Sequence, residues 1–433
     1  MRVLFISTEL IGSALCLKLV EEGHSVRLYI KDEGRKRCLD GFVAKTDSWK
    51  KELKWVGKKG LIVFDDVGYG KEQDRLRKEG FRVVGGSGGG DLLEIRREHF
   101  QKVLKQFGIP YLPTKRFLSH SRAIAFIEKN PGRWVLKQST HESSLNIVGR
   151  NADGSDIIEK LKIYKAADIS PVYLQQYVSG IEVGIARYFN GTDWVGPIEI
   201  NHEFKHYLDG EHGPLTSEMG TVMWYSDDET LPLFSRTLAK LKPHLQKIDF
   251  RGDIDINCIL NKDACYPLEA TARFGTPATE LQCELNISPW GEFLKAVADG
   301  TPFDFAYKNE YGLVATITVP PFPYIPSLSQ RITPSDKAQT KIIFDKKLKK
   351  SELKHIYFEE VARLAHSSPE LHWVGDHGQV LHVASSAATI AQAKKKVYNM
   401  IKYINIPQMF YRKDIGDRVR KSELATLSKW NWI

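Results

Sequence analysis

Long apolar runs are missing from this chain. No window approaches the roughly 18–20 apolar residues that a membrane-spanning helix needs, so none is expected. Cysteine is sparse as well. The five thiols, Cys16, Cys38, Cys258, Cys265 and Cys283, are scattered and none forms a CxxC pair. That pattern indicates neither a disulfide framework nor a zinc site, and reads as reduced thiols used for packing. The opening "MRVLFISTEL" lacks a basic stretch followed by an apolar run and a small-residue cleavage site, so a cytoplasmic location is expected. A GxGxxG fingerprint is also absent. Gly12 alone follows the first strand-like run, so the dinucleotide-binding fingerprint is not there. No internal repeat or low-complexity tract is present.

What is there is a basic, ordinarily globular composition. Of 433 residues, 42% are hydrophobic and 27% charged, and the net charge is +9. The length suggests two to four subdomains. The charge favours polyanionic partners: nucleotides, phosphorylated metabolites or nucleic acid. Lysine runs at Lys346, Lys347, Lys349, Lys350 and at Lys394–Lys396 are read as solvated faces, because no recognised nucleic-acid-binding motif accompanies them. Nucleic acid stays open as a partner without being favoured, and no membrane partner is expected.

The first 84 residues alternate strand and helix patterns ("RVLFIS", "IGSALCLKLVEEG", "SVRLYI", "LIVF", "FRVVG"), as in a parallel sheet covered by helices. "GGSGGGD" (Gly85–Asp91) reads as a flexible break and a domain edge. One helix is expected through "DLLEIRREHFQKVLKQFG", then strands around a polar helical insert. "DIDINCIL" and "CYPLEATARF" read as a hairpin across the turn "NKDA". A last region opens at "LVATITVP" and ends in a helix from about Ala388 to Ile404.

The hairpin carries the first chemistry. Asp255 and Glu269 can point to one face near one end, and two converging carboxylates repel unless a cation lies between them. Mg²⁺ suits such a pair, since it completes its octahedron with phosphate oxygens and water; the alternative is a surface hairpin with ordinary charges. Arg273 would then reach a phosphoryl oxygen. "EFKHYLDGEHGPLTSEMG" (Glu203–Gly220) is too polar and turn-rich for core. It reads as a long functional loop bearing Lys205, His206, Asp209 and Glu211.

Three segments, "HYLDGEHGPLTSEMG", "PLEATARFGTPATE" and "FYRKDIGDRV", together resemble the glycinamide ribonucleotide synthetases (phosphoribosylamine–glycine ligases), which are ATP-grasp enzymes. The family patterns are approximately DHKR-x-x-DGDxGPNTGGMG, LEFNARFGDPE and YRxDIGxR, in the same order. The resemblance implies an α/β and α+β protein: an N-terminal parallel α/β domain over 1–90, an ATP-grasp domain over 91–310 with a lid at about 115–180, and a C-terminal α+β domain over 311–433. It implies that ATP phosphorylates a carboxylate and an amine displaces the phosphate. The cofactors would be ATP and Mg²⁺ (or Mn²⁺), and the partners a small carboxylate, with an amino acid among the candidates, and an amine.

Carried over by position, the resemblance gives Arg97 and Lys137 to the ATP phosphates, Gln175, Gln176, Tyr177 and Val178 to the adenine edge, and Glu182 to the ribose. Glu269 becomes a metal ligand with Asp255 as the second carboxylate, Arg273 stands beside the reacting phosphoryl group, and Lys205 and Asp209 lie over the phosphates and acyl substrate. His206 and His141 are candidates for contacts to anionic intermediates, although a solvated or locally bonded histidine is the commoner case.

Departures from the family pattern are concentrated where substrates would bind. The glycine-rich phosphate loop is replaced by "KQSTHESSLNIVG", where Ser139, Thr140, Ser143 and Ser144 would have to donate. The metal-binding asparagine is Thr271. The N-terminal GGREHA loop, which holds the phosphate of phosphoribosylamine in the family, is replaced by "STELIGSA". Three readings follow: a ligase with altered specificity, an orthodox phosphoribosylamine–glycine ligase of purine biosynthesis, and a nucleotide-binding protein without turnover.

Overall fold

The computed structural model describes residues 1–138, 146–324, 340–363 and 370–433. Its first unit is the expected parallel sheet. β1 (Arg2–Ser7), β2 (Ser25–Ile30), β3 (Ala44–Lys45), β4 (Leu61–Phe64) and β5 (Arg82–Val84) lie in the order β3-β2-β1-β4-β5. β1 and β4 are continuous apolar runs because helices cover both faces of the sheet.

"GGSGGGD" is not a flexible break. Gly85 and Gly86 adopt φ +135° and +126°, and both donate their N–H to the Arg251 carbonyl at 2.9 Å. Ser87 then caps a helix, Gly88–Ile95, by accepting from Gly90 N–H. A Cβ on Gly89 or Gly90 would come within 2.5 Å of Ile248 or 2.7 Å of Phe250. These glycines serve close packing between the N-terminal unit and the next one. The single expected helix is also two, Gly88–Ile95 and Arg97–Gln106, broken at Arg96 (φ −113°, ψ 83°).

Four strands form the small lid sheet: β6 (Thr114–Phe117), β7 (Trp134–Gln138), β8 (Ile147–Val148) and β9 (Val172–Gln176), ordered β6-β9-β7-β8. Helices His120–Lys129 and Ser155–Ala166 pack on it through Ala123, Ile127, Ile157 and Leu161.

The large antiparallel sheet holds β10 (Ile181–Asn190), β11 (Trp194–Glu203), β14 (Gly220–Ser226), β15 (Arg251–Leu260), β16 (Cys265–Thr271), β17 (Tyr311–Thr318), β19 (Ile356–Phe358) and β22 (Gln379–Ala387). Its order is β16-β15-β10-β11-β14-β17-β22-β19. The last three strands therefore extend the sheet begun by the middle of the chain, with β17 pairing β14 from Gly220↔Ala315 to Met223↔Gly312. The expected boundary at 311 falls on a strand of this shared sheet. The intervening β12 (His206–Leu208) and β13 (His212–Leu215) make a separate hairpin, so the expected polar loop is an ordered β-turn structure. β18 (Thr340–Phe344), β20 (Val361–Ala362), β21 (Leu371–Trp373) and β23 (Ile404–Asn405) form the remaining sheet, ordered β20-β21-β18-β23. Helix Ile390–Ile401 covers β22 and β17 with Ala393, Val397 and Ile401. Among the described residues no helix is long and apolar enough to cross a membrane.

Candidate active site

A cleft of about 1750 Å³ runs between the lid, one face of the large sheet and the carboxyl-end edge of the N-terminal unit. Strand alternation decides what faces it. On β11, every second residue from Glu199 through Asn201 to Glu203 lines the cleft, and on β15 so do Asp253, Asp255 and Asn257. β10 lies between them, and its Glu182 and Ala186 line the cleft while Gly184 falls between Asn201 and Asn257 in the register.

At the lid end the charges interlock. Lys205 Nζ lies 2.8 Å from Glu182 Oε1, 2.8 Å from Glu203 Oε2 and 3.2 Å from Glu269 Oε1. These three glutamates hold the Lys205 ammonium well above its ordinary pKa against the opposing effect of burial. Lys205 in turn pulls the Glu269 carboxyl down to about 2, helped by Lys137 and Arg97. Lys137, on the lid strand β7, goes the other way. Burial first, then the positive charge of Arg97, lowers its pKa to about 7. Arg97 Nη1 is buried with no hydrogen-bond partner among the described residues. Two cations held near one another with an open donor are what an anion would satisfy.

The hinge of the lid passes along the same cleft. Gln175, Gln176, Tyr177 and Val178 all line it. Gln175 Nε2 donates to Leu112 O at 2.9 Å, and Tyr177 N–H donates to Arg133 O while the Arg133 guanidinium stacks 3.5 Å above its ring. The expected serines and His141 of the phosphate loop lie outside the described residues.

The hairpin forms as expected, and Asp255 and Glu269 both face the cleft. Asn257 stands directly opposite Glu269, and Asp255 faces Thr271. Asn257 Nδ2 donates to Glu203 Oε2 at 2.8 Å, and its Oδ1 is buried without a donor, as is Asp255 Oδ1. Asp255 Oδ2 accepts from Asn201 Nδ2 at 2.6 Å. Burial, reinforced by Glu203, pushes the Asp255 carboxyl up to about 8. Two orphaned oxygens beside Glu269 make an oxygen-only donor set, the kind a hard divalent cation takes.

Two expected residues sit elsewhere in the fold's logic. Arg273 lines the cleft, but its Nε is 3.2 Å from Glu94 Oε1 and 3.8 Å from Asp66 Oδ1, so its charge is already matched at the seam with the N-terminal unit. Asp209 is not among the residues that line this cleft. Its Oδ1 accepts from Lys413 N–H at 2.8 Å, while Gly210 N–H donates to Asp414 Oδ2 at 2.8 Å. The buried Arg412 guanidinium reaches Glu211, Asp414 and the His206 carbonyl. Asp209 is thus a clasp between the β12–β13 hairpin and the "FYRKDIGDRV" segment. His206 lines the cleft, with Nδ1 3.0 Å from Gly213 O.

Sequence reasoning missed the buried acids of the sheet face, Glu199 and Asp253, each almost wholly buried. Gln282 Nε2 donates to Glu199 Oε2 at 2.8 Å and to Asp253 Oδ2 at 2.7 Å. For Asp253 the signal was the alternation of Asp253, Asp255 and Asn257 with the apolar Ile254, Ile256 and Cys258. A further cluster of Asp32, Asp376 and His377 lies at the N-terminal side of the cleft. Arg35 Nη2 is 2.9 Å from His377 Nδ1, so that nitrogen accepts and Nε2 carries the proton, facing Asp32 at 3.2 Å. Despite burial, this contact holds Asp32 down to about 2.

Two family descriptions match this chain. "Phosphoribosylglycinamide synthetase, ATP-grasp (A) domain" covers residues 96–279, and "Phosphoribosylglycinamide synthetase, C domain" covers 333–418. The chain belongs to the phosphoribosylglycinamide synthetase family. It is a distant member of that ATP-grasp ligase family. The phosphoribosylamine–glycine ligase of Halalkalibacterium halodurans is 23% identical over 363 residues, covering 80% of this chain and 78% of the relative. That of Listeria monocytogenes serotype 4b is 22% identical over 423 residues, covering 94% and 96%. The crystal structure of the Thermotoga maritima phosphoribosylamine–glycine ligase has the same fold, with a TM-score of 0.70 at 20% identity over 96% of this chain and all of that one. The ATP-grasp match spans the lid, the hinge and the β15–β16 hairpin. The C-domain match contains Arg412 and Asp414, so the clasp joins the two matched regions.

Proposed function

We propose that this family member is an ATP-dependent carboxylate–amine ligase that forms an amide through an acyl phosphate, releasing ADP and phosphate. The observation that carries the reading is Lys205 among Glu182, Glu203 and Glu269, with Lys137 and Arg97 facing the same space. In this reading the hinge Gln175–Val178 receives adenine, Glu182 the ribose, and Arg97 and Lys137 the phosphates. Mg²⁺ would be held by Glu269 with the free Asn257 amide oxygen across from it and Asp255 within reach; bound there, it would offset charge on the phosphates. The chain's own cations do the remaining electrostatic work, since phosphoryl transfer needs positioning and charge stabilisation more than a nucleophilic side chain. Arg273, fixed by Glu94, would orient the acyl group. The lid over about 115–180 would close on the nucleotide.

We further propose that the amine is not phosphoribosylamine. The sequence has "STELIGSA" in place of the family's GGREHA loop, and Gly12 N–H, at the start of the first helix, already donates to a buried carboxyl of the protein, Asp65 Oδ2, at 2.8 Å, which supports the loss of a phosphate site there. The test is ADP release against a panel of carboxylates and amines, with glycine and phosphoribosylamine as the reference pair. ADP formation with some other pair, lost at least a hundredfold in Glu269→Gln, is expected. Full turnover in Glu269→Gln would sink the site assignment, and efficient use of the reference pair would restore the orthodox activity.

A further inference from the structure

Glu182 and Glu269, which the ligase reading gives to the ribose and the metal, are both already in use. Lys205 Nζ reaches Glu182 Oε1 and Glu203 Oε2 at 2.8 Å and Glu269 Oε1 at 3.2 Å. An ammonium has three N–H donors, and here each meets a different carboxylate. Asn257 Nδ2 donates at 2.8 Å to the same Glu203 oxygen that takes Lys205. Asn257 Oδ1 is then left buried without a donor, on the residue directly opposite Glu269. Lys205 thus sits among the oxygens that a divalent ion would need.

The backbone around Lys205 is pinned. Thr216 bonds the Lys205 carbonyl twice, from its N–H at 2.7 Å and from its hydroxyl at 2.8 Å. Arg418 Nη2 donates to the Glu203 carbonyl. Between them Phe204 is 1% exposed, with the Arg412 and Arg418 guanidiniums 5.2 Å and 4.1 Å from its ring centroid. The side chain of Lys205 is free by comparison, 24% exposed on a four-carbon stem. Movement at this point belongs to that stem. Arg97 and Lys137 line the same cleft, and the Lys205 charge is near enough to act on Lys137.

Lys205 and a metal ion cannot both hold Glu269 as it stands. Magnesium binds oxygen at about 2.0–2.1 Å, so an ion on this carboxylate would lie within a few ångströms of the ammonium and be repelled by it. We propose that Lys205 is a resident counter-ion that keeps free divalent metal off Glu269, and that it leaves only when nucleotide phosphates offer it another anion. Metal arriving alone gives Lys205 no new partner. Metal arriving with a triphosphate does, so the cleft selects the metal–nucleotide complex over the free ion. This inference rests on the ligase reading's assignment of Glu182 and Glu269 to one nucleotide site.

The test is Mn²⁺ binding to the full chain without nucleotide, read from the electron paramagnetic resonance signal of the free ion. Lys205→Met, and Lys205→Gln as a second variant, should each bind Mn²⁺ about tenfold tighter or more than the wild type. Adding Glu269→Gln to either should remove the gain. Arg97→Met is the control: it removes a permanent charge that acts on Glu269 through space, and should change Mn²⁺ affinity by less than about threefold. In calorimetry with a metal-free, non-hydrolysable ATP analogue, both Lys205 variants should bind roughly tenfold weaker or more, because the phosphates lose their ammonium. Opposite signs for metal and nucleotide are not what a loss of folding would give. Wild-type Mn²⁺ affinity in both Lys205 variants, an equal gain in Arg97→Met, a gain that survives Glu269→Gln, or undiminished analogue binding would overturn the proposal. The expected shifts with no ADP release from any substrate pair would remove the ligase reading and leave the counter-ion standing. Unchanged metal affinity beside turnover that depends on Glu269 would remove the counter-ion alone.

Discussion

Asp65 sits buried at the end of β4 with its Oδ2 2.8 Å from the Gly12 amide, where the first helix begins. Burial, with Asp66 nearby, raises its carboxyl from 3.8 to about 7. The sign follows from linkage. Between those two values the unfolded chain has lost the proton and the folded chain keeps it, so stability falls as pH rises from about 4 to about 7 and is level above. A shift of that size is worth about 4 kcal/mol at most. Asp65→Asn keeps an acceptor for Gly12 and cannot ionise. Chemical denaturation across this range should show a shallower decline in the variant; identical pH profiles would mean that Asp65 is ionised throughout.

Lys137 should make ATP binding consume a proton. In the free protein its pKa is about 7, lowered by burial and by Arg97. A bound triphosphate would favour the ammonium form. Affinity should therefore decline as pH rises through about 7, and calorimetry in buffers of different ionisation enthalpy should show uptake approaching one proton near pH 8. Lys137→Met should abolish that uptake and weaken binding by roughly ten- to a hundredfold, the usual range for a hydrogen bond to a charged group. Uptake that persists in the variant would place the titrating group elsewhere.

That Lys137, Gln175–Val178, Glu182 and Glu269 share one cleft was legible in the sequence because they sit in short local patterns: "WVLKQ" on one strand, "LQQYVSGIE" across the hinge, "PLEATARFG" on the hairpin. The rest was not, for two physical reasons. Strand register across the sheet is a tertiary property, so the pairing of Asn257 with Glu269, and the bulge between Asn257 and Cys258 that accompanies it, could not be counted from the turn alone. Long-range partners also decide roles. The resemblance places Asp209 over the phosphates and acyl substrate, whereas here its Oδ1 accepts from the amide of Lys413, some two hundred residues later. The glycines at 85–90 look like a linker, yet Ile248 and Phe250 pack against them.

The clasp offers a stability test separate from the chemistry. Arg412 is fully buried, with Nε 2.8 Å from Asp414 Oδ1, Nη2 2.7 Å from Glu211 Oε1 and Nη1 2.9 Å from His206 O. Removing the guanidinium leaves carboxylates that still reach solvent, Glu211 39% and Asp414 26% exposed, so the cost falls below that of a fully buried pair, at about 1–3 kcal/mol. Arg412→Met should lower stability by that order and expose the β12–β13 hairpin to proteolysis. Binding of the ATP analogue should survive at temperatures where the variant is folded. A loss below about 1 kcal/mol would show that the hairpin is held by its apolar contacts, such as the Tyr207–Phe410 ring pair at 4.4 Å, instead of by the guanidinium.

The two lysine runs should differ in their response to polyanions. Lys394 is paired with Asp417 at 2.7 Å and Lys396 donates to the Ser386 carbonyl at 2.7 Å, so two lysines of that run have partners within the chain. Lys346, Lys347, Lys349 and Lys350 are all exposed around the buried Leu348. Neutralising four phosphates releases their counterions, which gives a log–log salt dependence no steeper than about −3.6 on duplex DNA. Filter binding should therefore show weak retention at low salt that disappears near physiological ionic strength, and replacing these four lysines by glutamine should abolish it. A slope of about −6 or steeper would require cations beyond this run and would make nucleic acid a serious candidate for the carrier of the amine. No retention at any salt would leave a small-molecule amine as the acceptor.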